Sequence, residues 1–213
     1  MPELPEVETV CRSLSPFVHH VVKGVDIIDA WLRRPLPTDL SHLIGQTLQS
    51  VQRRAKYIIL QFDQHTLVIH LGMTGRLLMR DTVEKHDKFC LHFDHHTLVF
   101  QDSRRFGFAV WYETIDWQNM GIEPLSAACT PTIFFHLLQR SRVQIKVFLL
   151  DQKYLVGIGN IYACEALFQA RISPLRLAQS LTLAESSRLL VAIQSVLEKS
   201  IALNGSTLRD YRR

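Results

Sequence analysis

The hexapeptide Met120-Gly121-Ile122-Glu123-Pro124-Leu125 separates two kinds of sequence. Ahead of it, from about residue 22 to 112, short runs rich in Val, Ile, Leu and Phe (VVKGVDII, TLQSVQ, YIILQF, TLVIHLG, RLLMR, FCLHF, TLVFQD and FAVWY) break at Gly, Asp, Gln or His. A spacing of about ten residues predicts an antiparallel sandwich or barrel. Behind the hexapeptide the apolar period is helical, predicting helices over 131–140, 142–150, 160–170 and 183–203. The last is the best marked: Thr182 and Glu185 form a capping-box pattern, Leu189, Ile193, Val196, Leu197 and Ile201 form a stripe, and Asn204-Gly205 stops it. Near the start, residues 5–14 read as a further helix, with Pro5 at the first helical position, Glu6 and Glu8 in the first turn, and Val7, Val10, Cys11 and Leu14 at helical spacing. The expected fold class is α+β. A helix and a β-sandwich occupy 1–125 and a helical domain 126–213, with the change inside 121–130.

The chain has 213 residues, 47% of them hydrophobic and 21% charged, enough for two modest domains with real cores. That composition excludes a disordered tail and a disulfide miniprotein. No apolar stretch approaches the ~18 residues of a membrane span, and acidic residues stand where a signal peptide carries basic ones. A soluble cytosolic protein is expected. The net charge of +4 is unevenly spread: residues 1–125 hold 13 Lys/Arg against 15 Asp/Glu, and residues 126–213 hold 11 against 5. The C-terminal part therefore suits nucleic acid or an acidic substrate, or carries ordinary solubilising charge. Cys11, Cys90, Cys129 and Cys164 are scattered with no C-x-x-C pair, which fits a reducing compartment and argues against a metal site. His92, His95 and His96 lie where two apolar runs must be joined, so Asp94-His95-His96 reads as a turn rather than a ligand set.

Five segments carry chemistry. With Pro second, removal of Met1 leaves a secondary amine at Pro2 whose pKa near ~8 makes it a nucleophile at neutral pH, able to form an iminium. Glu3 is placed to move the accompanying proton and Glu6 lies one helical turn on, although Pro and Glu also simply suit a helix start. Arg53-Arg54-Ala55-Lys56-Tyr57 clamps phosphates or guards a strand edge. His70-Leu71-Gly72-Met73-Thr74-Gly75-Arg76 is a tight loop with a long apolar tip, either core filler or a wedge for the space a departed base leaves. Asp102-Ser103-Arg104-Arg105-Phe106-Gly107 pairs guanidinium groups that are hard to bury with an aromatic side chain, suiting base contact and intercalation. Lys153 to Tyr162 contains Gly157-Ile158-Gly159-Asn160 at a helix start, where free N–H groups offer a phosphate seat. The glycine spacing does not match a dinucleotide fingerprint.

In this order the segments resemble the formamidopyrimidine-DNA glycosylase family, through MPELPEVETV, RRAKY, HLGMTG, KHDK, DSRRFG and LVGIGNIYACEALF with the downstream ISPLR, a resemblance running from residue 1 to 211. It implies a β-sandwich followed by a helix-two-turn-helix domain, and base-excision repair: removal of oxidised purines such as 8-oxoguanine, then strand cleavage by β- and δ-elimination. It implies a catalytic set of Pro2 as nucleophile at C1′, Glu3 as proton donor and shuttle, and Lys56, with Glu6 as a supporting carboxylate. Lys56, His70 and Asn160 match phosphate-gripping positions, and Lys153 a position near the damaged base. Met73, Arg104 and Phe106 match the trio that enters the duplex, Met73 filling the vacated place, Arg104 addressing the opposite base and Phe106 wedging beside it.

The same trio favours a purine reading over the endonuclease VIII type, whose members prefer oxidised pyrimidines. The implied partner is damaged double-stranded DNA, bound by a monomer with no membrane attachment in the bacterial cytoplasm, associated with the nucleoid. The family continues past a segment like Ser206–Tyr211 into a four-cysteine zinc finger, whereas this sequence ends at Arg213 and its four cysteines do not match those ligands. The expectation is accordingly a chain without a cofactor and with weak or absent glycosylase activity, a DNA-binding fragment being the alternative.

Overall fold

Each of the eight apolar runs forms a strand, and the strands form two four-stranded antiparallel sheets. Strands β1 (Gly24–Ile27), β5 (Arg76–Met79), β6 (Asp87–His92) and β7 (Thr97–Gln101) make one sheet in the order β1-β6-β7-β5. The other has the order β2-β3-β4-β8, from β2 (Leu48–Arg54), β3 (Tyr57–Phe62), β4 (Thr66–His70) and β8 (Phe108–Trp111). The period of two explains the stacking: Ile58, Leu60 and Phe62 of β3 point inward with Leu67 and Ile69 of β4, while Gln61 is exposed. They meet Phe89, Leu91, Leu98 and Phe100 of the facing sheet in one core. Asp94–His96 is the turn of the β6–β7 hairpin, closed by Phe93 N–H donating to His96 O.

The computed structural model describes residues 1–204; the Ser206–Tyr211 segment and the end at Arg213 lie outside the described residues. Two compact units result, one of Met1–Pro2 with Val7–Ile115 and one of Glu3–Glu6 with the described residues from Asp116 onward. Helix α1 (Leu4–Ser13) contributes to both: Val7, Cys11 and Leu14 belong to the sandwich core, and Leu4 to the helical core. The division at Ile115/Asp116 falls ten residues before the 125/126 expected from periodicity. Residues 116–130 have no helical period, yet Gly121 N–H donates to Gln152 O, Ile122 N–H to Tyr154 O and Val156 N–H to Ile122 O, which ties the segment to the helical unit.

The helical unit contains α2 (Pro131–Gln139), α3 (Ile145–Leu150), α4 (Asn160–Ala170) and α5 (Leu183–Ala202). Thr130 caps α2, and the Thr182/Glu185 capping box starts α5. Ala163, Ala166 and Ala170 give α4 a small-residue stripe buried in the same core as Leu189, Leu190 and Ile193 of α5, letting the two helices approach closely. Helix α3 begins three residues later than its period suggests, because Gln144 bridges Leu177 and Ile145 N–H donates to Arg176 O. Two successive turns over 151–159 join α3 to α4. Gln152 organises them: its Nε2 donates to Ile158 O and its Oε1 accepts from Gly157 N–H. Among the described residues no helix is long and apolar enough to cross a membrane.

Candidate functional site

The start of α4 exposes backbone N–H groups that have no partner within the helix, and in this protein a carboxylate from the chain's own N-terminus takes them. Glu3, only 2% exposed, accepts from Gly159 N–H (2.7 Å) and Tyr162 N–H (3.3 Å) on Oε2 and from Ile161 N–H (2.9 Å) on Oε1. A Cβ on Gly159 would lie 2.5 Å from the Glu3 carboxyl carbon, so glycine is required for the carboxylate to reach the helix end. Gly157, at φ +83°, leaves room for Leu4, whose N–H donates to Gly157 O. Glu6 supports the arrangement: its Oε2 accepts from Glu3 N–H (2.9 Å) and its Oε1 from the Tyr162 hydroxyl (2.6 Å), which also contacts Ser200 Oγ. Within the Gly157–Asn160 segment the Gly159 N–H is therefore taken by Glu3, and the Gly157 N–H by Gln152 Oε1. Asn160, the first residue of α4, is exposed to solvent. Lys153 is exposed on the two-turn segment, with its N–H anchored on Asp151 Oδ1 (2.9 Å).

In the sandwich unit, Ala55 and Lys56 make a two-residue turn between β2 and β3, with Ala55 at φ +55°. Lys56 is 8% exposed. Arg53, from the same basic cluster, is a structural cation: its Nε donates to Glu8 Oε2 (3.0 Å) and its Nη1 to Ala55 O (3.0 Å). His70, at the end of β4, stacks on Phe108 with centroids 5.2 Å apart and also meets Tyr57. Burial, then the charges of Lys56, Arg33 and Arg34, push its pKa down to about 4. The ring is thus neutral at pH 7. Gly72 N–H donates to Nδ1 (3.0 Å), so the neutral ring carries its proton on Nε2 as a hydrogen-bond donor. Arg33 and Arg34 went unnoticed in the sequence, where Trp31-Leu32-Arg33-Arg34-Pro35 has no motif; Arg34 lies over the Phe108 ring at 4.7 Å.

Two loops of the sandwich display the expected trio. Met73 is 44% exposed between β4 and β5, and Phe106 is 41% exposed between β7 and β8. Arg104 is exposed too, its guanidinium 4.7 Å above the Phe106 ring. The large apolar and cationic tips stand in solvent, contrary to a core-filler reading. Pro2 is half-buried in the sandwich unit, peptide-bonded to Glu3. Cys11, Cys90 and Cys129 are buried and Cys164 is exposed, and burial pushes the Cys11 thiol up to about 12 and that of Cys129 to about 11.

A sandwich with displayed crossing loops and a helix-two-turn-helix unit that seats a glutamate is the architecture of two known domains. The formamidopyrimidine-DNA glycosylase N-terminal domain family model matches residues 1–109, and the H2TH domain family model of the same glycosylase matches residues 120–212. The formamidopyrimidine-DNA glycosylase of Zymomonas mobilis is 45% identical over 228 residues, covering all of this chain and 83% of the relative. That of Acinetobacter baylyi is 42% identical over 219 residues, 99% of this chain and 80% of the relative. Among solved structures, the wild-type Lactococcus lactis enzyme in complex with DNA containing N7-benzyl-Fapy-dG superposes with a TM-score of 0.88 at 30% identity, over 98% of this chain and 82% of that one. The chain belongs to the formamidopyrimidine-DNA glycosylase family.

Proposed function

We propose that this protein removes oxidised purines from duplex DNA and cuts the strand at the resulting site, with Pro2 as nucleophile and Glu3 as its proton-transfer partner. The observation that carries the reading is the fixing of Glu3 by three amides of α4, which holds the residue next to Pro2 on a rigid element. Removal of Met1 frees the Pro2 secondary amine. Its nitrogen attacks C1′ as the bond to the damaged base breaks, and the departing base takes a proton. Glu3 takes the proton that the Pro2 nitrogen loses on bonding to C1′ and delivers it to the ring oxygen of the sugar, opening the sugar to an iminium between Pro2 and C1′. Loss of a C2′ proton then expels the 3′ phosphate, and a second elimination expels the 5′ phosphate. Glu6 acts through Glu3, whose N–H it holds.

In the same reading Lys56 and His70 grip backbone phosphates, Lys56 as a nearly buried charge and His70 as a neutral Nε2–H donor, with Asn160 contributing its exposed side chain. Lys153 lies near the damaged base. Met73 fills the vacated place, Arg104 addresses the base opposite and Phe106 wedges beside it. This trio supports purine over pyrimidine lesions. The chemistry uses no cofactor and proceeds in the bacterial cytoplasm.

Borohydride reduction of the reaction with a duplex carrying an 8-oxoguanine·cytosine pair tests the mechanism. The expected product is a covalent complex attached at the N-terminal proline. A complex that forms unchanged in Pro2→Gly would overturn the assignment.

A further inference from the structure

We propose that Asp102 and Thr74 form a positioning clamp that makes Met73, Arg104 and Phe106 enter the duplex as one rigid body, an inference that rests on the reading just given for those three side chains. The topology makes such a clamp possible. Strand β4 pairs with β8, joining His70 to Phe108, and β5 pairs with β7, joining Arg76 to Gln101. The loop from β4 to β5 and the loop from β7 to β8 therefore both cross between the sheets, as the β1–β2 connection also does, and these two leave the sandwich side by side.

The crossings touch through backbone. A Cβ on Gly72 would lie 2.4 Å from Phe106 C and 2.5 Å from Gly107 N, and one on Gly107 would lie 2.8 Å from His70 O. Asp102, fully buried, joins them: its Oδ1 accepts from the Thr74 hydroxyl (2.6 Å) and from Arg104 N–H (3.2 Å), and its Oδ2 from Gly107 N–H (2.7 Å). One side chain thus fixes the residue after Met73, Arg104 itself, and the residue after Phe106. The far side of the second loop is pinned separately. Arg105, at φ +58°, turns away to place Nη2 3.0 Å from Asp29 Oδ2, an oxygen that also accepts from Lys88 Nζ (2.6 Å). With Arg105 turned back, its neighbours Arg104 and Phe106 stack on one another in solvent.

Inserting three long side chains into a base stack costs their conformational freedom, and loops ordered in advance reduce that cost. The saving applies most where a stacked, paired base must be driven out, and less at an abasic site, where unpairing has already occurred. Asp102 and Thr74 are thus positioning residues for base eviction.

The test compares single-turnover base excision on an 8-oxoguanine·cytosine duplex with strand cleavage on the same duplex carrying a preformed abasic site. Thr74→Val keeps the side chain's shape and removes the hydroxyl donor to a buried carboxylate. It is expected to slow excision about tenfold or more and abasic cleavage less than about threefold, the loss of one hydrogen bond to a charged group. Discrimination between cytosine and adenine opposite the lesion should narrow, and Thr74→Ser should restore both readouts. Asp102→Asn should show the same split. Equal losses on the two substrates, no loss on either, or failure of both variants to melt cooperatively would overturn the clamp. A wild-type protein inactive on both duplexes would instead overturn the reading of the function itself.

Discussion

Glu3 and Asp102 are both buried carboxylates that accept three hydrogen bonds, yet they sit in regions built on opposite terms. At Glu3 the group proposed to react is itself the buried one, and the amides that hold it are the cap of α4. Anything that disturbs its chemistry disturbs a helix end and a core. At Asp102 the buried carboxylate is scaffold, and the side chains proposed to meet DNA stand outside it, Met73 and Phe106 with nearly half their surface in water. Three hydrogen bonds to a buried carboxylate therefore do not decide its role; what the neighbouring residues expose does. Stability and activity should be inseparable in the first region and separable in the second.

The largest expected effect comes from forcing that inseparability at Gly159. Gly159→Ala sets a methyl group 2.5 Å from the Glu3 carboxyl carbon and 2.6 Å from its Oε1. Either the carboxylate leaves, stranding three amides, or α4 shifts within a close-packed core. A stability loss of about 3–4 kcal/mol combines overpacking with lost charge-assisted bonds. Urea denaturation should show it together with loss of borohydride trapping. A variant that traps normally despite a lowered melt would show that Glu3 need not be held to act.

Acid provides the next test, on the sandwich side. The His70 pKa lies near 4 in the folded protein against an ordinary 6.5, so between those values the unfolded chain binds more protons and stability falls as pH falls. The loss amounts to roughly 3 kcal/mol by pH 4 and is absent above about pH 6.5. His70→Asn should flatten this part of the pH profile of the melting temperature. A profile unaltered by that substitution would show that the ring is not the buried neutral group described. Gly72→Ala, at φ +62° and against the Phe106 backbone, should cost about 2 kcal/mol and move both crossing loops, which differential scanning calorimetry checks.

How much was legible in advance differs between the regions for a physical reason. Strand runs, caps and helical stripes are local patterns, and the α4, α5 and eight-strand assignments follow from them. Gly157-Ile158-Gly159-Asn160 correctly announced free amides at a helix start, but the anion that fills them comes from a residue 156 positions upstream of Gly159, and no local pattern carries that pairing. Asp102 stood inside a quoted motif whose arginines and phenylalanine drew the reading, because a buried acceptor has no signature until the donors around it are known. Arg53 read as one of three equivalent cations, although Glu8, 45 residues away, makes it structural. The loops of Met73 and Phe106 are legible as motifs, but the sequence leaves Met73 as either core filler or wedge, and its exposure in the fold separates the two.

Those tips also give the smallest expected change in stability and so the sharpest contrast with Gly159. Phe106→Ala and Met73→Ala remove side chains that are 41% and 44% exposed and belong to neither core. Loss of the stacking of Arg104 on Phe106 removes an exposed cation–π contact worth about 0.5–1 kcal/mol, and Met73→Ala should fall within about 0.5 kcal/mol of the parent. Excision of a paired lesion should nonetheless fall far more than stability does, because the same side chains are proposed to supply the contacts that compensate an opened base stack. The comparison is made by plotting the fractional loss of excision rate against the loss of unfolding free energy for Gly159→Ala, Gly72→Ala, Phe106→Ala and Met73→Ala. The Gly159 point should lie high on both axes and the two tip variants high on the rate axis alone. If the tip variants instead lose activity only in proportion to stability, the exposed loops are packing elements after all, and the distinction between a buried reactive carboxylate and a buried supporting one disappears.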